Sequence, residues 1–266
     1  MKWPAEDLWL ALVAQQPGLT VEVLPEIDST NTELMRRARA GQTDPVLLVA
    51  ETQTAGRGRL GRPWYGEAGH ALTFSLGLML KPSDWSGLSL AVGLSLAHSL
   101  DPQGELGVQL KWPNDLWVKR PNTPTGWGKL AGILIETALP TGMSYTADQG
   151  RYCVVGVGLN IAPPTAEGLS TAPLGLQDLQ SGITAPEALM KVAEPLLATL
   201  LAFERTGFAP LQNAFNTRDA LHSLNVTLSD GRHGVARGVD AIGALLVDTE
   251  QGQAAISSAE VSVRPV

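Results

Sequence analysis

Residues 46–80 read VLLVAETQTAGRGRLGRPWYGEAGHALTFSLGLML and hold two apolar runs that flank a loop rich in glycine and arginine. The first run, Val46–Ala50, is short and uninterrupted, which predicts a buried strand. The second, Ala71–Leu80, predicts another strand because every second residue from Leu72 to Leu78 is large and apolar. Residues 53–69 contain too much glycine and arginine for a helix or a strand, so we expect a loop that orders around a ligand.

The remaining segments predict a mixed central sheet flanked by helices, in an α/β or α+β fold. Helices are predicted at residues 5–15, 30–40, 86–100 and 185–206, strands at 21–24, 108–112, 130–137 and 152–161, and a surface connection at 162–175. The helix at 30–40 is predicted from a capping box, in which Thr30 caps the first turn and Glu33 bonds back to it. Gly41 is predicted to end this helix, because glycine readily adopts the left-handed backbone found at helix ends.

The pattern changes near residue 222, where short alternating runs replace the helices. Runs that predict strands lie at 224–228, 245–247 and 261–263, and Asp230–Gly231 predicts a hairpin. Several short strands within so few residues predict a small β-barrel. We therefore expect a main domain at residues 1–220 and a small C-terminal β-barrel domain at residues 221–266.

The chain has 266 residues and a net charge of −7, which argues against binding of DNA, RNA or an anionic membrane by the whole surface. Residues 52–135 nevertheless carry eight basic and five acidic residues, so we expect an anionic ligand there. The single cysteine, Cys153, excludes an internal disulfide and favours a reducing compartment. Because the sequence contains no bilayer-length apolar run and no signal peptide pattern, we expect a soluble cytoplasmic protein.

The sequence lacks the residue patterns of several common binding sites. The four histidines are scattered and there is no cysteine cluster, so we expect no zinc site. The run Gly156–Asn160 lacks the third glycine and the following helix of a dinucleotide fingerprint, so we expect neither a nicotinamide nor a flavin cofactor. The glycine-rich loop is not a Walker A motif, since Arg62 and Pro63 stand where lysine and serine or threonine are required.

Three short motifs could carry chemistry, and each also has a plainer structural explanation. Gly56–Arg62 could wrap an anion with backbone N–H and guanidinium groups, or be a solvated basic loop or a nonspecific RNA-binding segment. Lys111–Asp115 could present a lysine, an amide and a carboxylate together, or simply turn the chain after a strand. Lys129 could be a fixed positive charge or could extend to water, and Gly132 would let a flat ligand lie against the sheet.

Five motifs taken together resemble those of the biotin protein ligases. They are Ser29–Asn31, Gln53 with Gly56–Trp64 (GRGRLGRPW), Lys111–Asp115, Lys129–Leu134 and Gly156–Asn160, in the family's order and spacing across residues 25–161. The resemblance implies a fold similar to the class II synthetase-like ligases, followed by the family's small SH3-like β-barrel. It implies an enzyme that joins biotin to the α-phosphate of MgATP, giving biotinyl-5'-AMP, and then transfers biotin to a lysine of a biotin carboxyl carrier domain.

The resemblance also implies roles for individual residues. Biotin would be held by Ser29, Thr30, Asn31, Gln53, Gly56, Arg57, Gly58, Arg59, Lys129 and Gly132. ATP would contact Arg59, Arg62, Trp64, Asn114, Lys129 and Asn160, and the catalytic residues would be Lys129, Arg59 and Lys111. Asp115 is the candidate ligand for Mg²⁺, and Thr30 would both cap its helix and bind biotin.

Three other interpretations fit parts of the same pattern. A lipoate protein ligase would share the fold and the adenylate chemistry, although the arginine-rich loop and Lys111–Asp115 favour biotin. A nucleic-acid-binding protein could use the same loop, which the acidic net charge disfavours, and an inactive biotin-binding regulator is the third. Some relatives carry an N-terminal DNA-binding domain, but only about 20 residues precede the first predicted strand, so we expect no DNA binding. Relatives include monomers and dimers, so a homodimer is compatible with the resemblance.

Overall fold

The main feature of the fold is an eight-stranded sheet, seen in a computed structural model that describes residues 1–123, 125–139, 150–164, 171–257 and 263–265. The strands are β1 (Thr20–Ile27), β2 (Val46–Gln53), β3 (Ala71–Leu80), β4 (Val108–Lys111), β5 (Asp115–Lys119), β6 (Trp127–Ala138), β7 (Arg151–Asn160) and β8 (Ala172–Pro173). Seven of them lie in the order β1-β2-β3-β7-β6-β5-β4, and β8 lies beside β6. The pairs β1–β2 and β6–β8 are parallel and the others antiparallel, which confirms the predicted mixed sheet.

Helices cover both faces of this sheet, as predicted. Those in the described part of the chain are α1 (Ala5–Val13), α2 (Thr30–Arg39), α3 (Leu88–Leu100), α4 (Ala185–Thr206) and α5 (Gln212–Thr217). The helices α1, α3 and α4 pack on one face in the main apolar core. Helix α2 packs on the other face through Leu34 and Met35, in a smaller apolar cluster with Val46 and Tyr152. No described helix is both long enough and apolar enough to cross a membrane.

Strand β3 explains why a polar site can form on the α2 face. Its large apolar residues point into the main core beneath α3 and α4. Thr73, Ser75 and Gly77 alternate with them and therefore point to the α2 face. There Ser75 contacts Asn31, and a Cβ at Gly77 would touch Leu34. The period-two pattern thus leaves small and polar groups beneath α2.

The first turn of α2 differs from the prediction by one residue. Ser29, not Thr30, is the N-cap, with extended backbone and a side-chain oxygen that accepts from the Thr32 N–H at 3.4 Å. The prediction that Thr30 caps the helix was wrong, because two adjacent hydroxyl residues can both serve and Ser29 has the required backbone. Thr30 is the first helical residue, and its hydroxyl lies instead 3.2 Å from Gln53 Oε1. At the other end, Gly41 has the predicted left-handed backbone, with φ 87°.

The C-terminal segment forms a five-stranded antiparallel sheet. Its strands are β9 (Asn225–Leu228), β10 (His233–Val239), β11 (Leu245–Thr249), β12 (Gly252–Ile256) and β13 (Val263–Pro265), in the order β12-β11-β10-β9-β13. The hairpin predicted at Asp230–Gly231 joins β9 to β10. Among the described residues no pairing joins β12 to β13, so the expected closed barrel is not confirmed. Residues 258–262, which include most of the run predicted at 261–263, lie outside the described residues.

The C-terminal sheet is anchored to the edge of the central sheet. Trp112 Nε1 donates to the Gly243 carbonyl oxygen at 3.1 Å, and Asn216 Oδ1 accepts from the Val239 N–H at 2.8 Å. Arg218 and its neighbours bond to β4 through the Leu110 N–H at 2.8 Å. The chain that leads into the C-terminal sheet therefore extends the central one, and the division at residue 220 stays a prediction.

Candidate active site

A cavity of about 230 Å³ lies on the α2 face of the sheet, and residues from the 53–69 loop form part of its wall. It is lined by every predicted site residue except Gly56: Ser29, Thr30, Asn31, Gln53, Arg57, Gly58, Arg59, Arg62, Trp64, Lys111, Asn114, Asp115, Lys129, Gly132 and Asn160. Gly56 lies behind this wall, where a Cβ would come within 2.5 Å of the Trp64 carbonyl oxygen. The topology thus gathers five separate motifs around one cavity, while their contacts with ligands stay predictions.

One end of the cavity is a network of neutral polar groups, which we call the polar floor. Its members are Ser29, Thr30, Asn31, Gln53 and Ser75. The Thr30 N–H donates to Gln53 Oε1 at 2.8 Å, and the Ser75 hydroxyl lies 2.6 Å from Asn31 Oδ1 and 2.7 Å from Thr30 Oγ1. Because these buried groups bond to one another, the polar floor has a fixed shape without any ligand.

Glycines on β6 and β7 make room above the sheet for two site residues. A Cβ at Gly156 would collide with Asn31 Oδ1, and one at Gly158 would collide with the Trp64 indole. At Gly132 a Cβ would lie 3.3 Å from Trp64 Cζ3. We expected Gly132 to leave room for a flat ligand, and in this structure the flat group beside it is the Trp64 indole itself.

The other end of the cavity is crowded with positive charge, and we call it the cationic end. Its cations are Arg59, Arg62, Lys111 and Lys129, and Asp115 is the only carboxylate among the described residues that line the cavity. Lys129 Nζ lies 2.8 Å from Asp115 Oδ1 and 5.7 Å from the centroid of the Trp64 ring. Four cations beside one carboxylate create a field that attracts an anion.

Burial and neighbouring charges shift the pKa values of two side chains at the cationic end, Lys111 and Arg59. The pKa of Lys111 is lowered to about 8, chiefly by burial, with Asp115 opposing the shift and the neighbouring cations adding to it. Burial also lowers the pKa of Arg59, again opposed by Asp115 and supported by Arg62. Burial is the largest cause of both shifts, and a bound anion would oppose it and raise both pKa values.

Arg57, at the start of the arginine loop, has protein partners for its guanidinium group. We expected this loop to order around a ligand, and for Arg57 this needs correction, because protein groups already hold its side chain. Arg57 Nη2 donates to Glu136 Oε2 at 2.9 Å, and its Nε donates to Thr32 Oγ1 at 3.0 Å. The loop also closes on itself, since the Gly58 N–H donates to the Arg62 carbonyl oxygen at 2.7 Å.

The two predicted asparagines anchor the backbone of β6. Asn114 Nδ2 donates to the Ile133 carbonyl oxygen at 2.9 Å, and Asn160 Nδ2 donates to the Lys129 carbonyl oxygen at 3.1 Å. Both side chains line the cavity, so each fixes the strand that carries Lys129 while offering its carbonyl oxygen to a ligand. Their predicted contacts with a nucleotide stay predictions.

The donor set for a metal is small. Within the described ranges no group of three or more His, Cys, Asp or Glu side chains could hold a metal ion. Of the residues that the structure describes, Asp115 is the single carboxylate at the cationic end, and it already pairs with Lys129. One carboxylate suits Mg²⁺ that is bound chiefly by phosphate oxygens and water, which is how this ion commonly binds beside nucleotides.

Two residues of the site were not predicted from the sequence. Ser75 completes the polar floor, and Glu136 pairs with Arg57. A signal for Ser75 was present in β3, where small polar residues alternate with the leucines. Glu136 is the only acidic residue in β6, which also points to a specific partner.

Comparisons with known proteins agree with this geometry. Residues 23–160 match the model of the "Biotin/lipoate A/B protein ligase family", and residues 225–264 match the "Biotin protein ligase C terminal domain". The chain belongs to the biotin/lipoate A/B protein ligase family. The resemblance to the biotin protein ligases is confirmed by the C-terminal match and by the relatives below.

Two relatives and one solved structure show how far the similarity extends. The "Bifunctional ligase/repressor BirA" of Escherichia coli is 33% identical over 246 residues, which cover 90% of this chain and 72% of that protein. The "Biotin--[acetyl-CoA-carboxylase] ligase" of Mycobacterium tuberculosis is 34% identical, covering 91% of this chain and 88% of its own length. The biotin protein ligase from Aquifex aeolicus in complex with biotin and ATP is 27% identical with a TM-score of 0.75, covering 92% of this chain and 99% of that one.

Proposed function

We propose that this biotin protein ligase binds the biotin ring on the polar floor and performs adenylate chemistry at the cationic end. In the first step a carboxylate oxygen of biotin attacks the α-phosphorus of ATP and pyrophosphate leaves, giving biotinyl-5'-AMP. In the second, a lysine amine of a carrier domain attacks the acyl carbon, AMP leaves, and the amine loses a proton as the amide forms. The observation that carries the proposal is the presence, in one cavity, of a fixed polar network and a cluster of four cations.

The polar floor offers the groups that a ureido ring needs. The Ser29 hydroxyl and Gln53 Nε2 donate to no described residue in the present hydrogen-bond network, so both can donate to the ureido oxygen. Asn31 Oδ1, which Ser75 approaches from one side, has a second lone pair for a ureido N–H. Because the floor is already ordered, ring binding requires little rearrangement, which favours affinity.

The cationic end supplies what the first step needs. An anionic carboxylate must approach an anionic phosphate, and fixed cations relieve that repulsion while aligning the reacting atoms. Lys129 is the principal candidate, because Asp115 and Trp64 hold its ammonium group in place. Arg59 and Lys111 would support it, Arg62 and Trp64 would contact ATP, and Mg²⁺ would enter with the phosphates beside Asp115.

The outer edge of β6 beyond β5, which no described strand covers, is the surface that we assign to the carrier domain or to a second copy of this chain. The Ile133 N–H donates to the Asn114 carbonyl oxygen at 2.9 Å. The backbone N–H and C=O groups of Ile133 therefore face away from β7. By period-two alternation Ile135 and Thr137 point outward as well. No described strand pairs with them there, and such edges accept an added strand.

Other finer expectations belong to the same proposal. We place the reaction in the cytoplasm, which the single buried cysteine, Cys153, supports. We also propose that the C-terminal sheet closes into the SH3-like barrel of the family, on a main domain similar to the class II synthetase-like ligases. The match to the biotin protein ligase C-terminal domain supports the proposed SH3-like barrel.

The proposal is tested by incubating the protein with MgATP, a carrier domain and either biotin or lipoate, followed by mass spectrometry of the carrier lysine. We expect a biotinyl adduct that requires ATP, and no lipoyl adduct. A lipoyl adduct alone would favour the lipoate branch of the family. Biotin binding without ATP–pyrophosphate exchange would indicate an inactive regulator instead.

A further inference from the structure

We propose that Glu136 is a positioning residue, which orients the Arg57 guanidinium so that one of its nitrogens faces the carboxylate of biotin. This inference rests on the proposed function, since it assumes that an organic acid binds in the cavity. Glu136 lies on β6, at the boundary between the polar floor and the arginine loop. Its carboxylate contacts both of them.

Arg57 is held at two of its three nitrogens. Its Nε donates to Thr32 Oγ1 at 3.0 Å, and its Nη2 donates to Glu136 Oε2 at 2.9 Å and to Oε1 at 3.2 Å. Nη1 donates to no described residue, although Arg57 lines the cavity. Since a guanidinium is planar, two fixed nitrogens determine the direction of the third. Nη1 is therefore presented to an incoming acceptor.

The same carboxylate also holds the polar floor. Asn31 Nδ2 donates to Glu136 Oε2 at 3.0 Å, and Asn31 Oδ1 lies 2.6 Å from the Ser75 hydroxyl. Asn31 Nδ2 also donates to the Leu134 carbonyl oxygen at 3.1 Å, so Glu136 is the second of two acceptors that fix the amide with its oxygen, the group a ureido N–H needs, on the opposite side. Glu136 thereby links the group that reads the ring to the group that receives the carboxylate.

A purely structural role accounts less well for this arrangement. Arg57 is 43% exposed and Glu136 24% exposed at the side chain, and ion pairs so open to water add little to folding stability. Replacement of Glu136 should therefore alter ligand binding much more than folding. The direction also follows from the geometry: a guanidinium that loses one of two anchors spends less time in the binding orientation.

The test is calorimetric titration of biotin into the wild type, Glu136→Gln and Glu136→Ala. Glutamine retains the shape and an acceptor for Asn31 but loses the charge that holds Arg57. We expect biotin affinity to fall roughly tenfold in Glu136→Gln and further in Glu136→Ala, with the KM for ATP nearly unchanged. Glu22→Gln is the matched control. Glu22 lies on β1, outside the cavity, and it also pairs with an arginine, Arg37.

A double-mutant cycle separates positioning from structure. If Glu136 acts through Arg57, then Glu136→Gln should have little additional effect on biotin affinity in an Arg57→Ala background. Equal losses in both backgrounds, unchanged or tighter biotin binding in Glu136→Gln, or a loss of melting temperature without a loss of affinity would each overturn the inference. Failure of the wild type to bind biotin would instead overturn the proposed function.

Discussion

The two ends of the cavity are built in opposite ways. On the polar floor each side chain already bonds to at least one protein group, as when Ser75 bridges Thr30 and Asn31. At the cationic end Asp115 is the one described carboxylate among four cations, and burial lowers the pKa of Lys111 to about 8. The floor is therefore ordered before any ligand binds, whereas the cationic end attracts an anion that would offset its positive charge. Affinity for the ring and catalysis at the phosphate should thus respond differently to mutation.

The largest expected effect is at Lys129. Lys129→Ala should reduce the rate of adenylate formation by at least about a hundredfold, as the loss of an electrostatic donor at a reacting centre typically does. Biotin affinity should change much less, because the polar floor is intact. The measurement is single-turnover release of pyrophosphate at saturating biotin and ATP.

The control for Lys129 is Lys119→Ala. Lys119 also stands over a tryptophan, with Nζ 5.8 Å from the Trp127 ring centroid, but it lies outside the cavity. Its replacement should leave pyrophosphate release unchanged. Near-normal release by Lys129→Ala would remove this residue from the mechanism.

The second effect is at Gly158, where the sheet makes room for Trp64. An added methyl group would collide with the indole, so Gly158→Ala should displace Trp64 and weaken ATP binding roughly tenfold. The KM for ATP measures this. In a Trp64→Ala background the same substitution should add little, and an equal loss there would show that Gly158 does not act through Trp64.

The third effect concerns Lys111 and depends on pH. Its pKa of about 8 in the folded protein lies below that of an exposed lysine, about 10.4, so unfolding takes up a proton between these values. Stability should therefore rise with pH across this window, and the cost of the buried charge is fully present below pH 8. Lys111→Met should be more stable than the wild type at pH 7, by about 1–3 kcal/mol, with the difference shrinking as the pH approaches 10.

Lys111→Met should be less active than the wild type, although it should be more stable. The kcat/KM for adenylation by the wild type should decline as the pH rises through about 8, because this parameter reports the free enzyme, in which Lys111 loses its charge, and Lys111→Met should be slower and lack that decline. Thermal melting and pyrophosphate release across pH 6–10 measure both. A variant that is less stable at pH 7 would contradict the assignment of burial as the dominant cost.

Much of the fold could be predicted from the sequence, because strong periodicity survives packing. Strand β3 and helix α4 have the predicted limits, Ala71–Leu80 and Ala185–Thr206. Strand β5 (Asp115–Lys119) and helix α5 (Gln212–Thr217) were missed, since each is too short to show a period. The closed barrel was expected from the number of short strands and from the resemblance, and neither of them fixes how the outer strands pair.

The site was predictable to the extent that its residues lie in compact motifs. Asn31 and Lys129 are remote in the chain yet line one cavity, as the resemblance implied. Ser75 and Glu136 were missed because their partners, Thr30 and Arg57, are set by sheet register and loop conformation. Local patterns mark both positions, but the partner of each depends on tertiary structure and is not specified by the sequence nearby.

The smallest expected effect is on the arginine loop. Cleavage within residues 54–68 should slow when biotin is added, because its carboxylate supplies a further anion for the arginines of the loop. Limited proteolysis followed by mass spectrometry gives the rate at each site. The change should be modest, since Glu136 already holds Arg57, and equal cleavage with and without biotin would show that the loop does not respond to the acid.

The central claim is that biotin binds first, on a polar floor that is already ordered. Its carboxylate then adds negative charge at the cationic end, which prepares that end for ATP. Calorimetric titration tests it directly, with a non-hydrolysable ATP analogue and Mg²⁺ added to the protein with and without saturating biotin. We expect biotin to bind the free protein, and the analogue to bind at least about tenfold more tightly once biotin is present. Equal affinity for the analogue in both titrations would contradict the account.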